Sequence, residues 1–384
     1  MPNPVSSSPA PSGRIPSLDG LRAIAILLVM VGHGWYSLPL VPAFLWRYAG
    51  NGTLGVNIFF VLSGFLIYSL SAREVDKTGQ FSSKQFYIRR ILRIFPCFYF
   101  FIGVIVCLKW SGIVALSWQV LGSAATFTFN YAHFFDRWTT PADNADFGVI
   151  GHYWSLALEE QFYFTWPLLM LLFVRRKLLP VLMVIMCLAP FIRVASYYLA
   201  PNWRGQIGMM FQTGFDSIAA GVLLGELLRR SRPKALLQGL ARNPITLYGA
   251  IAFILIISPL LNEFFKGAYE ITVGKSLELA CICVIVTAGV YFPETILGRL
   301  LNWRPMIYVG VLSYSLYVWN NLFLYSEGHW VVNKFPFNYL CVFGMAMFSH
   351  YLIEKPFLKL KDRFHKSAAA SGKMATVVHA TPSQ

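Results

Sequence analysis

Long apolar stretches alternate with short polar ones along the chain, and ten of them approach the ~20 residues that a helix needs to cross a bilayer. They cover 20–40, 53–71, 93–115, 155–174, 178–199, 206–228, 244–262, 271–291, 305–325 and 336–353. The pattern predicts an all-α, polytopic membrane bundle of about 10 transmembrane helices. Gly and polar residues interrupt the first stretch and the one beginning at Gln206. A Ser- and Pro-rich segment, 1–16, precedes the helices, and a basic segment rich in small residues, 358–384, follows them. Both read as disordered, with 17–357 as a single membrane domain. No short apolar run ending in a small-residue cleavage site stands at the start, so no signal peptide is expected.

The connections between these stretches alternate in charge. Counted from an N-terminus inside, every second one is basic: Arg73, Lys77, Lys84, Arg89, Arg90 and Arg93; Arg175, Arg176 and Lys177; Arg229, Arg230, Arg232, Lys234 and Arg242; Arg299 and Arg304. The tail adds Lys355, Lys359, Lys361, Arg363 and Lys366. The opposite connections hold Arg47, Arg137, Arg204, Lys266 and Lys334, together with Asp136, Asp143, Asp146, Glu263, Glu270 and Glu327. A missed helix would invert the pattern midway. Its persistence predicts an even number of crossings with both termini in the cytoplasm, as for a multi-pass protein of a bacterial inner membrane. No internal repeat is visible, which counts against a transporter built from paired halves.

Composition narrows the solvent rather than the fold. Hydrophobic residues make up 56% and charged residues 13%, against about a quarter charged in an ordinary globular domain. The mean hydropathy is +0.55, and lipid is the medium that accepts so much apolar surface. The net charge of +15 sits in short loops, where it meets anionic lipid, rather than on a soluble basic face for nucleic acid. Cys97, Cys107, Cys187, Cys281, Cys283 and Cys341 all fall in apolar runs. They read as small buried hydrophobes, with neither a disulfide framework nor a metal site.

Ionisable side chains inside apolar stretches are costly, and so mark candidate chemistry. Arg22, in Ser17-Leu-Asp-Gly-Leu-Arg22, lies eleven residues before His33. Three helical turns put the two on one face about 16 Å apart, with Arg22 at the cytoplasmic boundary and His33 near mid-membrane. A neutral imidazole there suits a general base, or else a hydrogen bond to a neighbouring helix. In Phe86-Tyr-Ile-Arg-Arg-Ile-Leu-Arg-Ile-Phe-Pro96, Arg90 and Arg93 share a face. Their guanidinium groups suit a phosphorylated cytoplasmic donor, or ordinary anchoring at the inner surface. In His152-Tyr-Trp-Ser-Leu-Ala-Leu-Glu-Glu-Gln-Phe-Tyr163, His152 and Glu159 align if the helix already includes His152. Glu160 is rotated away, and Tyr153, Trp154 and Tyr163 read as interfacial aromatics. Ser63-Gly64, within Gly55–Ile67, reads as helix packing. Nucleophile-elbow, Walker A, Rossmann and HExxH motifs are absent from the sequence.

Six segments together resemble the membrane-bound acyltransferase 3 family of O-antigen and peptidoglycan O-acetylases. They are SLDGLRAIAILLVMVGH, GVNIFFVLSGFLI, FYIRRILRIFP, HYWSLALEEQFYFTWPLL, SYSLYVWN and HYLIEKPF, in the family's order from Pro16 to Phe357. The resemblance implies transfer of an acyl group, acetyl by family precedent, from cytoplasmic acyl-CoA to a carbohydrate hydroxyl, with no bound cofactor or metal. It assigns donor binding to Arg22, Arg90 and Arg93, and catalysis to His33, His152 and Glu159, the last two nearer the outer surface. His33 is then a general base or a transient acyl carrier. The acceptor stays open among cell-surface polysaccharide, O-antigen, peptidoglycan and lipid-linked sugar. The family often has His where this chain has Asn320, and an acidic residue or Gln at Asn57, which puts a second histidine near the ninth helix in doubt. Some relatives carry a C-terminal soluble domain; here acceptor-side work is expected of the membrane domain or a separate partner. A proton-coupled transporter or glycolipid flippase, and a non-enzymatic scaffold, are the competing classes.

Overall fold

Each long helix begins where its local sequence can satisfy the first free amides. Pro16 opens α1 (Pro16–Gly34), where its missing N–H costs nothing. The Asn51 side chain caps α2 (Gly52–Thr78) by accepting from Leu54 N–H, and Gly79 closes it at φ 74°. Ser82 caps α3 (Ser83–Trp110), which carries Pro96 within it. Ser117 caps the short α4 (Trp118–Ala125). Then follow α5 (Tyr153–Phe173), α6 (Leu178–Leu199), α7 (Asp216–Leu227) and α8 (Ser231–Arg242). Asn243 and Pro244 start α9 (Pro244–Phe264). The series ends with α10 (Glu270–Tyr291), α11 (Ile296–Leu301), α12 (Arg304–Leu324) and α13 (Phe337–Ser349). A π-helical turn, His350–Glu354, prolongs α13.

This computed structural model describes residues 15–38, 51–132, 146–173, 178–324 and 331–360, all of whose regular structure is helical. The expectations for the N-terminal segment up to Arg14 and for the tail from Lys361, including Arg363 and Lys366, lie outside the described residues. So do those for Arg47, Asp136, Arg137, Asp143, Arg175, Arg176, Lys177 and Glu327.

Six helices, α1, α2, α3, α6, α9 and α10, are long and apolar enough to cross a membrane. Two more, α5 and α12, have 21 residues each, or about 31 Å of rise. Phe164, Leu168, Leu171 and Leu172 on α5 are exposed, as are Val184, Leu188 and Phe191 on α6. Their spacing makes one apolar stripe per helix, and lipid is the solvent that accepts such stripes. The chain is a multi-pass membrane protein.

The stretch predicted as one span over 206–228 is not one helix. A 3₁₀ turn ends at Gln206, Gly208 takes φ 94°, a helical turn covers Phe211–Gly214, and only then does α7 begin. At 12 residues, α7 rises about 18 Å, short of a ~30 Å hydrocarbon core. The first helix likewise runs 16–34 instead of 20–40.

At the centre, α1 packs against α2 and α12, and α2 against α7. The α2–α7 approach is reciprocal: a Cβ at Gly64 would strike the Ile218 carbonyl, and one at Gly221 the Val61 carbonyl. Gly64 is therefore a packing residue, since lipid-embedded helices associate by close backbone approach. Several predicted basic connections meet at one end of the bundle. Glu74, near the end of α2, accepts from Arg89 Nη2 at 2.8 Å and from Ser82 N–H at 3.0 Å. Asp76 pairs with both terminal nitrogens of Arg229 at 2.8 Å.

Candidate active site

The last turn of α1 presents His33 to the C-terminal part of α12. Its Nδ1 lies 2.6 Å from Asn320 Oδ1. Asn320 is fully buried, and its Nδ2 donates to the Tyr317 carbonyl at 2.5 Å. His152 comes from the residue just before α5, with its ring centroid 6.1 Å from that of His33. The His152 ring meets Tyr153 at 4.6 Å and Tyr317 at 5.1 Å, edge to face in each case. The Tyr317 hydroxyl donates to the His152 carbonyl at 2.9 Å and lies 2.5 Å from Ser155 Oγ, which locks the start of α5 onto α12. Both His152 ring nitrogens are buried and make no hydrogen bond of good geometry among the described residues. Two imidazoles thus lie side by side, one of them held by an amide.

The helix that carries His33 ends at Gly34 and not at residue 40, so His33 lies in the last turn of α1, with its ring beside that of His152. His152 itself precedes the first residue of α5, Tyr153.

Glu159 belongs to a second group, two turns into α5. It accepts short hydrogen bonds from Ser63 Oγ and from the Tyr163 hydroxyl, and those two oxygens lie 2.6 Å apart. The Arg90 guanidinium stacks over the Tyr163 ring at 4.6 Å and near the Phe86 ring at 5.6 Å, a cation–π arrangement that fixes its plane. Arg90 and Arg93, with Arg89, Ser71 and Phe86, line a small cleft of about 80 Å³ between α2 and α3. Arg22 on α1 pairs with Asp19 at 2.9 Å and lies within electrostatic reach of Arg93 and Arg90. Arg89 is neutralised by Glu74. Among the described residues Arg90 and Arg93 form no ion pair. The three predicted arginines are thus brought together, with Glu160 within electrostatic reach of Arg90, and their guanidinium groups suit a phosphate.

Sequence reasoning passes over several members of this architecture. Ser63 reads as packing and Tyr163 as an interfacial aromatic, yet both hold Glu159. Glu160 keeps one buried carboxyl oxygen without a hydrogen bond among the described residues. Cys97, which reads as a small hydrophobe, lies 3.1 Å from Ser349 Oγ and 3.8 Å from Ser315 Oγ. Ser315 donates to Glu354 at 3.1 Å, and Glu354 pairs with His350 at 3.0 Å. A further buried triad joins Arg193 of α6 to Asp216 at 2.5 Å and Lys275 of α10 to Asp216 at 3.2 Å. Arg193 and Lys275 lie inside apolar stretches, and that cost is the signal that could have flagged them.

The chain matches an acyltransferase domain over residues 15–355. It is 26% identical over 321 residues to the peptidoglycan O-acetyltransferase OatA of Listeria monocytogenes, covering 80% of this chain and 49% of that protein. It is 29% identical over 331 residues to a putative peptidoglycan O-acetyltransferase, YrhL, of Bacillus subtilis, covering 80% and 48%. With a putative O-acetyltransferase of Staphylococcus aureus it shares 27% over 374 residues, covering 90% and 57%. The chain thus spans about half the length of the curated relatives it matches. No solved structure matches it. With the domain match running through the first five motif segments and most of the sixth, the chain belongs to the acyltransferase 3 family.

Proposed function

We propose that this protein is a membrane O-acyltransferase that moves an acetyl group from cytoplasmic acetyl-CoA to a carbohydrate hydroxyl. The observation that carries the reading is the polarity of α1. One end holds Arg22 beside Arg90 and Arg93, and the other holds His33 beside His152. Eleven residues separate Arg22 from His33, about 16 Å along the helix. A donor fitting both ends has anionic groups many bonds from its reactive carbon, as a nucleotide thioester with an extended arm does. Arg90 and Arg93 bind its phosphates, with Arg22 beside them, while Glu159, Tyr163 and Ser63 hold Arg90 in place. His33, as general base, takes the proton of the acceptor hydroxyl. The freed oxygen attacks the thioester carbonyl, the C–S bond breaks, and the sulfur leaves as a thiol after protonation. If His33 instead carries the acyl group, the same nitrogen attacks first and is released by the acceptor. His152 borders the acceptor. The names of the relatives favour peptidoglycan among the candidate acceptors. The basic end of the bundle faces the cytoplasm under this reading, in an inner membrane.

The test is release of free thiol from acetyl-CoA by purified, lipid-reconstituted protein supplied with acceptor glycan. His33→Ala should abolish it. Movement of a glycolipid across the vesicle without thiol release would replace the enzyme by a flippase. Mass analysis of surface glycans from a deletion strain would name the acceptor and the acyl group together.

A further inference from the structure

We infer that Asn320 is a positioning residue that fixes the tautomer of His33, so that Nε2 is the reacting nitrogen. The inference rests on the proposed acyl transfer only for its kinetic arm. Its basis is the direction of one amide. Asn320 Nδ2 donates to the Tyr317 carbonyl one turn back on α12, which turns Oδ1 toward His33. An amide oxygen only accepts, so at 2.6 Å the His33 Nδ1 must carry the hydrogen. In a neutral ring the lone pair then resides on Nε2. Asn320 is fully buried.

The titratable groups around this ring do not supply a rival partner. His152 is 6.1 Å away ring to ring, the Tyr317 hydroxyl is engaged by Ser155 and the His152 carbonyl, and Tyr153 packs on His152. The Tyr339 hydroxyl lies on the neighbouring Gly34, and its oxygen has no hydrogen-bond partner among the described residues. An amide orients the imidazole without adding charge. A carboxylate at 320 would orient it equally but favour the protonated ring, and a leucine would do neither.

The experiment labels histidine with ¹⁵N in the full-length protein in detergent and assigns the His33 signals by their loss in His33→Gln. The wild-type spectrum should show His33 as the Nδ1–H tautomer. Asn320→Leu should shift it toward the Nε2–H tautomer that free neutral histidine prefers, and lower kcat by about 10²-fold with KM for acetyl-CoA little changed. Asn320→Asp should restore the Nδ1–H tautomer and most of the rate, with the acid limb of the pH–rate profile moved to higher pH. An Nε2–H tautomer in the wild type, or an Nδ1–H tautomer that persists in Asn320→Leu, overturns the inference. The tautomer is read without any substrate. A wild-type protein that shows the Nδ1–H tautomer but releases no thiol would remove the acyltransfer reading and leave the positioning role of Asn320 standing.

Discussion

Two sets of charge lie in this bundle, one buried and one half-buried, and they are balanced in opposite ways. In the triad of α6, α7 and α10, Arg193 and Lys275 converge on Asp216, and Arg193 also donates to the Ile271 carbonyl at 3.2 Å. Its cations are satisfied by the chain itself. At the arginine end of α1, Arg22 has Asp19, but Arg90 and Arg93 have no ion pair among the described residues. Half-buried guanidinium groups without an ion pair can still accept an anionic group, which is what the proposed donor would supply. The comparison separates charge that holds helices together from charge kept ready for a ligand.

That contrast can be broken experimentally. The largest expected effect lies at the reacting end: His33→Gln should lower the rate of thiol release by about 10²- to 10⁴-fold while melting in detergent like the wild type. Next comes the triad. Arg193→Ala leaves Asp216 buried and without its arginine, and should cost about 3–5 kcal/mol of stability, seen as early loss of the monodisperse peak on heating. If that variant stayed stable but lost acyl transfer, the triad would belong to the site and the comparison would fail.

Arg93→Ala should behave in the reverse sense. Removing one charged contact to phosphate weakens donor binding by about 1.5–3 kcal/mol, read as a raised KM for acetyl-CoA with thermal stability unchanged. The smallest effect is expected at the rim, where Arg229 and Asp76 are both about half exposed. Breaking that pair with Arg229→Ala should change stability by less than about 1 kcal/mol and leave the kinetics as they were.

The legible parts of the site are those with a local cost. Arg22, His33, Arg90, Arg93, His152 and Glu159 are polar groups at or within apolar stretches, and helical spacing alone places Arg90 beside Arg93. Their partners are not legible. Nothing at Ser63 or Tyr163 marks it as a donor to Glu159, because the acceptor lies 96 residues from the first and depends on how α2 meets α5. An alignment read from spacing also depends on where the helix begins: His152 and Glu159 are seven apart, and the helix begins at Tyr153.

What the sequence determined on its own was the solvent, the helical class and the residue types able to do chemistry. Those follow from hydropathy, from the length of apolar runs and from the cost of charge in lipid, all local quantities. The tertiary structure decided the grouping. It set His33 against Asn320 across 287 positions of chain and brought Arg22 within reach of Arg90 and Arg93. It also put the side-chain oxygen of Asn320 on α12 within hydrogen-bond distance of the histidine of α1. Such pairings depend on how close two helices come. In this bundle that is governed by glycines such as Gly64 and Gly221, whose missing side chains carry no sign of which helix will fill the space.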